Sequence, residues 1–160
     1  MKSMAALFLR CIEDVYDAEK QILAALPMMA AASETADLKE AFEEHHKETE
    51  VHITRLDAIF EMLELHPHEQ TCEPVQMLVE KAEELVRRDG QQHVVEAGLI
   101  AEAQSLEHYE IARYGTLMAW ATELGYDEAL PLLQATLDEE KSADRKLSAI
   151  AERQVNRRAA

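Results

Sequence analysis

The stretch EEHHKETEVH, Glu43 to His52, holds three histidines and four glutamates in ten residues. Carboxylate oxygens mixed with imidazole nitrogens are the donors that iron and manganese take. Glu43 and His46 even form a literal Glu-x-x-His, the spacing by which helical bundles hold metal pairs. A spacing acts only if its residues share the face that meets the other donors. Their value therefore depends on which helices the chain builds and which stripe of each turns inward.

Breakers are few: four Gly and four Pro in 160 residues. The segment Ala32 to Leu38 ends one helix and starts another, with Ser33, Thr35 or Asp37 as candidate caps. The segment Leu65 to Pro74 is a connection, and Gly90 and Gly125 act as stops. These signals predict long helices over 4–32, 37–65, 93–124 and 128–155, with a shorter one over 75–88. The four long helices pair into two antiparallel hairpins. The short helix lies within a long crossover between them.

The apolar seams follow steps of three and four. The first helix gives Phe8, Ile12, Val15, Glu19, Ile22, Leu26 and Met29. The second gives Leu38, Phe42, His45, Thr49, His52, Leu56, Ile59 and Leu63, with Glu48 on the edge beside His45. The third long helix gives Ile100, Ala103, Glu107, Glu110, Tyr114, Leu117, Ala121 and Leu124. The fourth gives Leu130, Leu133, Leu137, Glu140, Asp144, Leu147 and Ala151. Each stripe is interrupted near mid-length by acid or histidine. Counted from the turns near Thr35 and Tyr126, the interruptions lie roughly 10–19 residues along each helix, one slab at 1.5 Å per residue. By the same frame Glu43 and His46 fall on a solvated flank, and His45-x-x-Glu48 faces inward instead.

Several carboxylates in one core repel each other and lose hydration, and a divalent metal pair removes both penalties. The oxygen-rich donor set suits iron or manganese better than a thiolate-loving structural zinc site. The competing account neutralises the seam acids with Lys20, Arg55 or Arg113, or by raised pKa values, and leaves a metal-free bundle for dimerisation or partner binding. Tyr16, Tyr109 and Tyr114 fall near the slab. His66, His68 and Cys72 sit in a connection and read as surface loop.

A formal net charge of −16 repels a phosphate backbone, so nucleic acid is not an expected partner. No apolar run is long enough to span a membrane. Two cysteines, Cys11 and Cys72, do not make a disulfide framework. The N-terminal residues do not read as a signal peptide, and a cytoplasmic protein is expected.

The strings DVYDAEKQILAALPMMA, AFEEHHKETEVHITRLD, GLIAEAQSLEHYEIARYGTL and LLQATLDEEKSADRKLSAIA, in that order, resemble the YciE/YciF family of ferritin-like bacterial stress proteins. The resemblance covers nearly the whole chain. It implies an all-α fold: one domain over 1–160, a ferritin-like antiparallel four-helix bundle with a long crossover and an extra short helix. It also implies a homodimer and a link to stress responses. The matching positions are Glu19, His45, Glu48, Glu107, Glu110, Glu140 and Asp144, the expected metal set. Relatives often carry Gln where His52 stands, so that set leaves it out. The leading expectation is a dinuclear iron or manganese centre that oxidises Fe(II) or removes peroxide. Storage of iron in a hollow shell is a lesser alternative.

Overall fold

The computed structural model describes residues 2–68, 70–88 and 90–160, and every regular element among them is helical. Met1, Glu69 and Asp89 lie outside the described residues; the last two fall in the connections expected around Leu65–Pro74 and Arg87–Gln92. The helices are α1 (Met4–Ala31), α2 (Ala36–Met62), α3 (Glu73–Arg87), α4 (Gln92–Leu124) and α5 (Leu130–Ile150). A π-helical turn, Ala151–Val155, leads into the short α6, Asn156–Ala159.

The α1 start agrees with the sequence expectation, and the other boundaries shift where a cap or turn decides them. Helix α1 starts where the Ser3 hydroxyl accepts from the Ala6 amide at 3.1 Å. Thr35 is the N-cap of α2 but makes no side-chain cap bond of its own. The Glu96 carboxylate of α4 replaces it, accepting from the Glu34 and Thr35 amides and from the Thr35 hydroxyl at 2.7–2.8 Å. Helix α2 stops at Met62, before the expected 65, because Glu64 turns left-handed at φ 53°. Helix α5 starts at Leu130 with Pro131 in its first turn, where a missing N–H costs nothing.

Helices α1 and α2 pack together, as do α4 and α5; α1 also meets α4, and α2 meets α5. The four long helices therefore close a ring. Helix α3 lies on α1 and α4, burying Val75 and Ala82. Gly98 permits this approach, since a Cβ there would stand 2.9 Å from Leu85 Cδ1.

The interior seam residues are buried as the steps of three and four require, except Asp144 of α5, which is half-buried. They do not form one continuous apolar core. One block gathers Ile22, Leu26, Met29, Leu38, Phe42, Leu99, Ile100 and Leu147 with the inner face of α3. A second gathers Phe8, Ile12, Val15, Leu56, Ile59, Leu117 and Leu133. Between the blocks lies a polar layer.

Candidate metal centre

The polar layer takes Glu19 from α1, His45 and His52 from α2, Glu107 and Glu110 from α4 and Glu140 from α5. None is more than 5% exposed. Two donor groups result: His45, Glu107, Glu110 and Glu140 in one, and Glu19, His52 and Glu140 in the other, with ligand atoms in each within 4.8 Å of one another. Glu140 belongs to both. Ligands on opposite sides of one ion, each about 2.0–2.2 Å from it, stand at most about 4.4 Å apart, so each group is near that size before any relaxation.

The two histidines are held alike. The inward Nε2 of His45 lies 3.3 Å from Glu107 Oε1 and 3.8 Å from Glu140 Oε2, while its outward Nδ1 meets Glu48 Oε2 at 3.4 Å. The inward Nδ1 of His52 lies 2.9 Å from Glu140 Oε1, off the direction of a hydrogen bond, and 3.4 Å from Glu19 Oε2. Its outward Nε2 meets Glu139 Oε2 at 2.9 Å. Arg55 grips Glu139 with both terminal nitrogens, at 2.5 and 3.0 Å. A carboxylate on the far nitrogen fixes ring orientation and strengthens the near nitrogen as a donor.

Among the described residues, six buried atoms have no hydrogen-bond partner: His45 Nε2, Glu107 Oε2, both oxygens of Glu110 and both of Glu140. Buried polar atoms are nearly always satisfied, and leaving them bare costs free energy. Burial, reinforced by the charge of Glu140, pushes the Glu107 and Glu110 carboxyls well above their ordinary range. Burial also raises Glu19, against the pull of His52. Burial would lift Glu140 too, but the neighbouring imidazoles of His52, 2.9 Å away, and His45 hold it below its usual value. Burial opposes the charge on His52, yet Glu140 and Glu19 raise it to about 10. The layer thus rests on one ion pair surrounded by acids that burial disfavours.

The basic side chains that could have neutralised the layer are engaged elsewhere. Arg55 holds Glu139, Lys20 lies over the Tyr16 ring at 4.1 Å, and Arg113 lies over Tyr109 at 5.0 Å. Among the described residues, the buried acids of the layer meet no Lys or Arg within ion-pair distance.

Of the seven residues expected from sequence, five meet in the layer: Glu19, His45, Glu107, Glu110 and Glu140. Glu48 stands at the rim against His45. Asp144 is turned aside, accepting from Gln104 Nε2 at 2.9 Å and lying 3.3 Å from His108 Nε2. His52, outside the expected set, is central, and its place on the α2 seam was the signal for it. Glu139 was missed because it flanks the seam and enters only through α5 packing on α2. Tyr114 is the one tyrosine of the three that touches the layer, donating to Glu19 Oε1; Tyr16 donates to Asp57 and Tyr109 meets Cys72 Sγ. His68 pairs with Glu13, and Glu43 is exposed, away from either donor group.

A family model described as a domain of unknown function, DUF892, matches residues 3–160. The chain belongs to that family. It is 41% identical to protein YciF of Escherichia coli strain K12 over 160 residues, 99% of this chain and 96% of YciF. The crystal structure of the E. coli stress protein YciF superposes with a TM-score of 0.93, covering 98% of this chain and 99% of YciF at 41% identity. YcfI of Rhodopseudomonas palustris, whose own description offers a structural role, matches at a TM-score of 0.89 and 40% identity over 92% of this chain and 94% of YcfI. A Xanthomonas campestris pv. campestris protein shares the fold at a TM-score of 0.77 and 20% identity, over 94% and 92% of the two chains. The resemblance to YciE/YciF is thus a membership, and the all-helical architecture is shared with YciF. No described helix is long and apolar enough to cross a membrane.

Proposed function

We propose that this chain is a single ferritin-like domain, a four-helix bundle with a long crossover, that binds a dinuclear iron or manganese centre in its polar layer. One observation carries the reading: six unpartnered buried donor atoms converge there from α2, α4 and α5. The donor set fits the metals, being oxygen-rich with two imidazoles. His45, Glu107 and Glu110 would hold one ion and Glu19 and His52 the other, with Glu140 shared between them. Glu48 and Glu139 orient the two imidazoles, and Arg55 holds Glu139 in place. Asp144, turned toward Gln104 and His108, acts through its charge on Glu107 rather than on the metal.

Such a pair, when bound, supplies electrons to oxygen or peroxide, which makes Fe(II) oxidation or peroxide removal the activity to assay. The chain's own part is to fix the donors, to exclude bulk water with an apolar block on each side, and to keep a phenol, Tyr114, in hydrogen-bond contact with Glu19. The relation to the E. coli stress protein supports a role under stress; that the chain acts in the cytoplasm and as a homodimer belongs to the same proposal.

Melting curves of chelator-treated protein with and without Mn(II) test the reading. A site present only in the folded chain raises Tm with metal concentration, by about 4 kcal/mol of stability at a thousandfold excess over Kd. Identical curves would remove the metal and leave the metal-free bundle, a module for dimerisation.

A further inference from the structure

The metal centre is buried, yet it is not sealed on every side. Helix α3 covers the groove between α1 and α4, whereas the groove between α2 and α5 carries two adjoining hollows that share wall residues. The outer is about 360 Å³ and is lined by Asp37, Glu40, Glu44, Lys146 and Arg153. The inner is about 20 Å³, and its walls include Ala41, His45, Glu48, Glu107, Ala143 and Lys146. Ala41 and Lys146 belong to both. The inner hollow ends on Glu107, buried and with one oxygen unpartnered, and on the unpartnered Nε2 of His45. At their junction Lys146 Nζ lies 2.5 Å from Glu44 Oε2, and Glu48 and Glu40 add their charge to hold the ammonium there.

We propose that divalent cations reach the centre along this passage between α2 and α5, and that the Lys146 ammonium is its gate. The inference rests on the metal-centre reading above and adds its route and its control. An inner hollow with room for about one water cannot admit a fully hydrated ion. The entering ion must exchange water for protein oxygen as it moves, first at Glu48 on the rim and then at Glu107. That favours Mn(II) or Fe(II), and disfavours Mg(II), which dehydrates reluctantly. Before any of this the ion must displace Lys146, which already occupies the acidic mouth as a competing cation.

The test is stopped-flow uptake of Co(II) alone by metal-free full-length protein, with the final amount bound measured separately. Lys146→Gln removes the resident charge at an exposed position and fills about threefold to tenfold faster than wild type at low salt, the advantage shrinking as salt rises. Ala143→Leu adds bulk to a hollow of one water's size and slows filling by about tenfold or more, with the same final amount. Circular dichroism checks that Ala143→Leu folds; if it does not, Lys146→Gln decides alone. Filling of both variants at the wild-type rate overturns the passage, and a Lys146→Gln rate at or below wild type overturns the gate. A wild-type chain that binds no Co(II) at equilibrium overturns the metal centre itself, an outcome distinct from both.

Discussion

Glu110 presents two carboxylate oxygens to the interior, and no described residue offers either a hydrogen-bond partner. In the metal-free protein that arrangement only costs stability, so the residue should be dispensable to folding and indispensable to metal. Glu110→Leu is therefore expected to stabilise chelator-treated protein by about 1–3 kcal/mol in urea unfolding, while reducing the metal-induced rise in Tm. Loss of stability in the metal-free state would mean that the carboxyl has partners of its own. Glu139→Gln makes the complementary case: it loosens the grip on His52 Nε2 and on Arg55. Metal affinity should fall about 10- to 100-fold with the ligands intact, read by titration with Mn(II). At this scale the sequence was informative where a residue lay on a seam, as for Glu19, His45, Glu107, Glu110 and Glu140. It was blind to Glu139, whose role depends on the rotation of α5 against α2. It overstated Glu48 and Asp144, because steps of three and four approximate a 3.6-residue turn and the edges of a stripe drift outward.

Helix ends carry their own tests. Helices α2 and α4 finish with the same geometry: Leu65 N donates to Phe60 O, and Tyr126 N to Ala121 O, both at 2.9 Å. The left-handed residue is Gly125 in one and Glu64 in the other, at φ 70° and 53°. Only glycine takes that conformation freely, so Glu64→Gly should raise stability by about 1 kcal/mol, seen as a higher urea midpoint at unchanged slope. Glu96 closes the other end of α2. Its carboxyl is held below its ordinary value because, against burial, the Thr35 and Glu34 amides, the Thr35 hydroxyl and His93 all favour the charged form. A depressed folded value means the contribution is complete above the unfolded value and is lost as pH falls through the folded one. Glu96→Gln should then cost about 2 kcal/mol at pH 7, with the gap to wild type closing below about pH 4. Gly125 was legible as a stop from its residue type. The Glu64 cap and the Glu96 bridge were not, since one breaks the residue preference and the other spans 61 positions.

Over the whole molecule, two apolar blocks are divided by a layer that the chain alone does not satisfy. Helical composition, breakers and seams made the all-helical order legible, because each long helix buries one stripe. The division of the core was legible only as interruptions at matched depth, and the α2–α5 groove not at all. The layer ties four helices through one shared carboxylate, so metal should act on global stability rather than on one hairpin. Elemental analysis of protein loaded anaerobically with Fe(II) or Mn(II), then desalted, addresses this most directly. The account predicts about two metal ions per wild-type chain, falling sharply in Glu140→Ala. A wild-type chain that emerges without metal would contradict it.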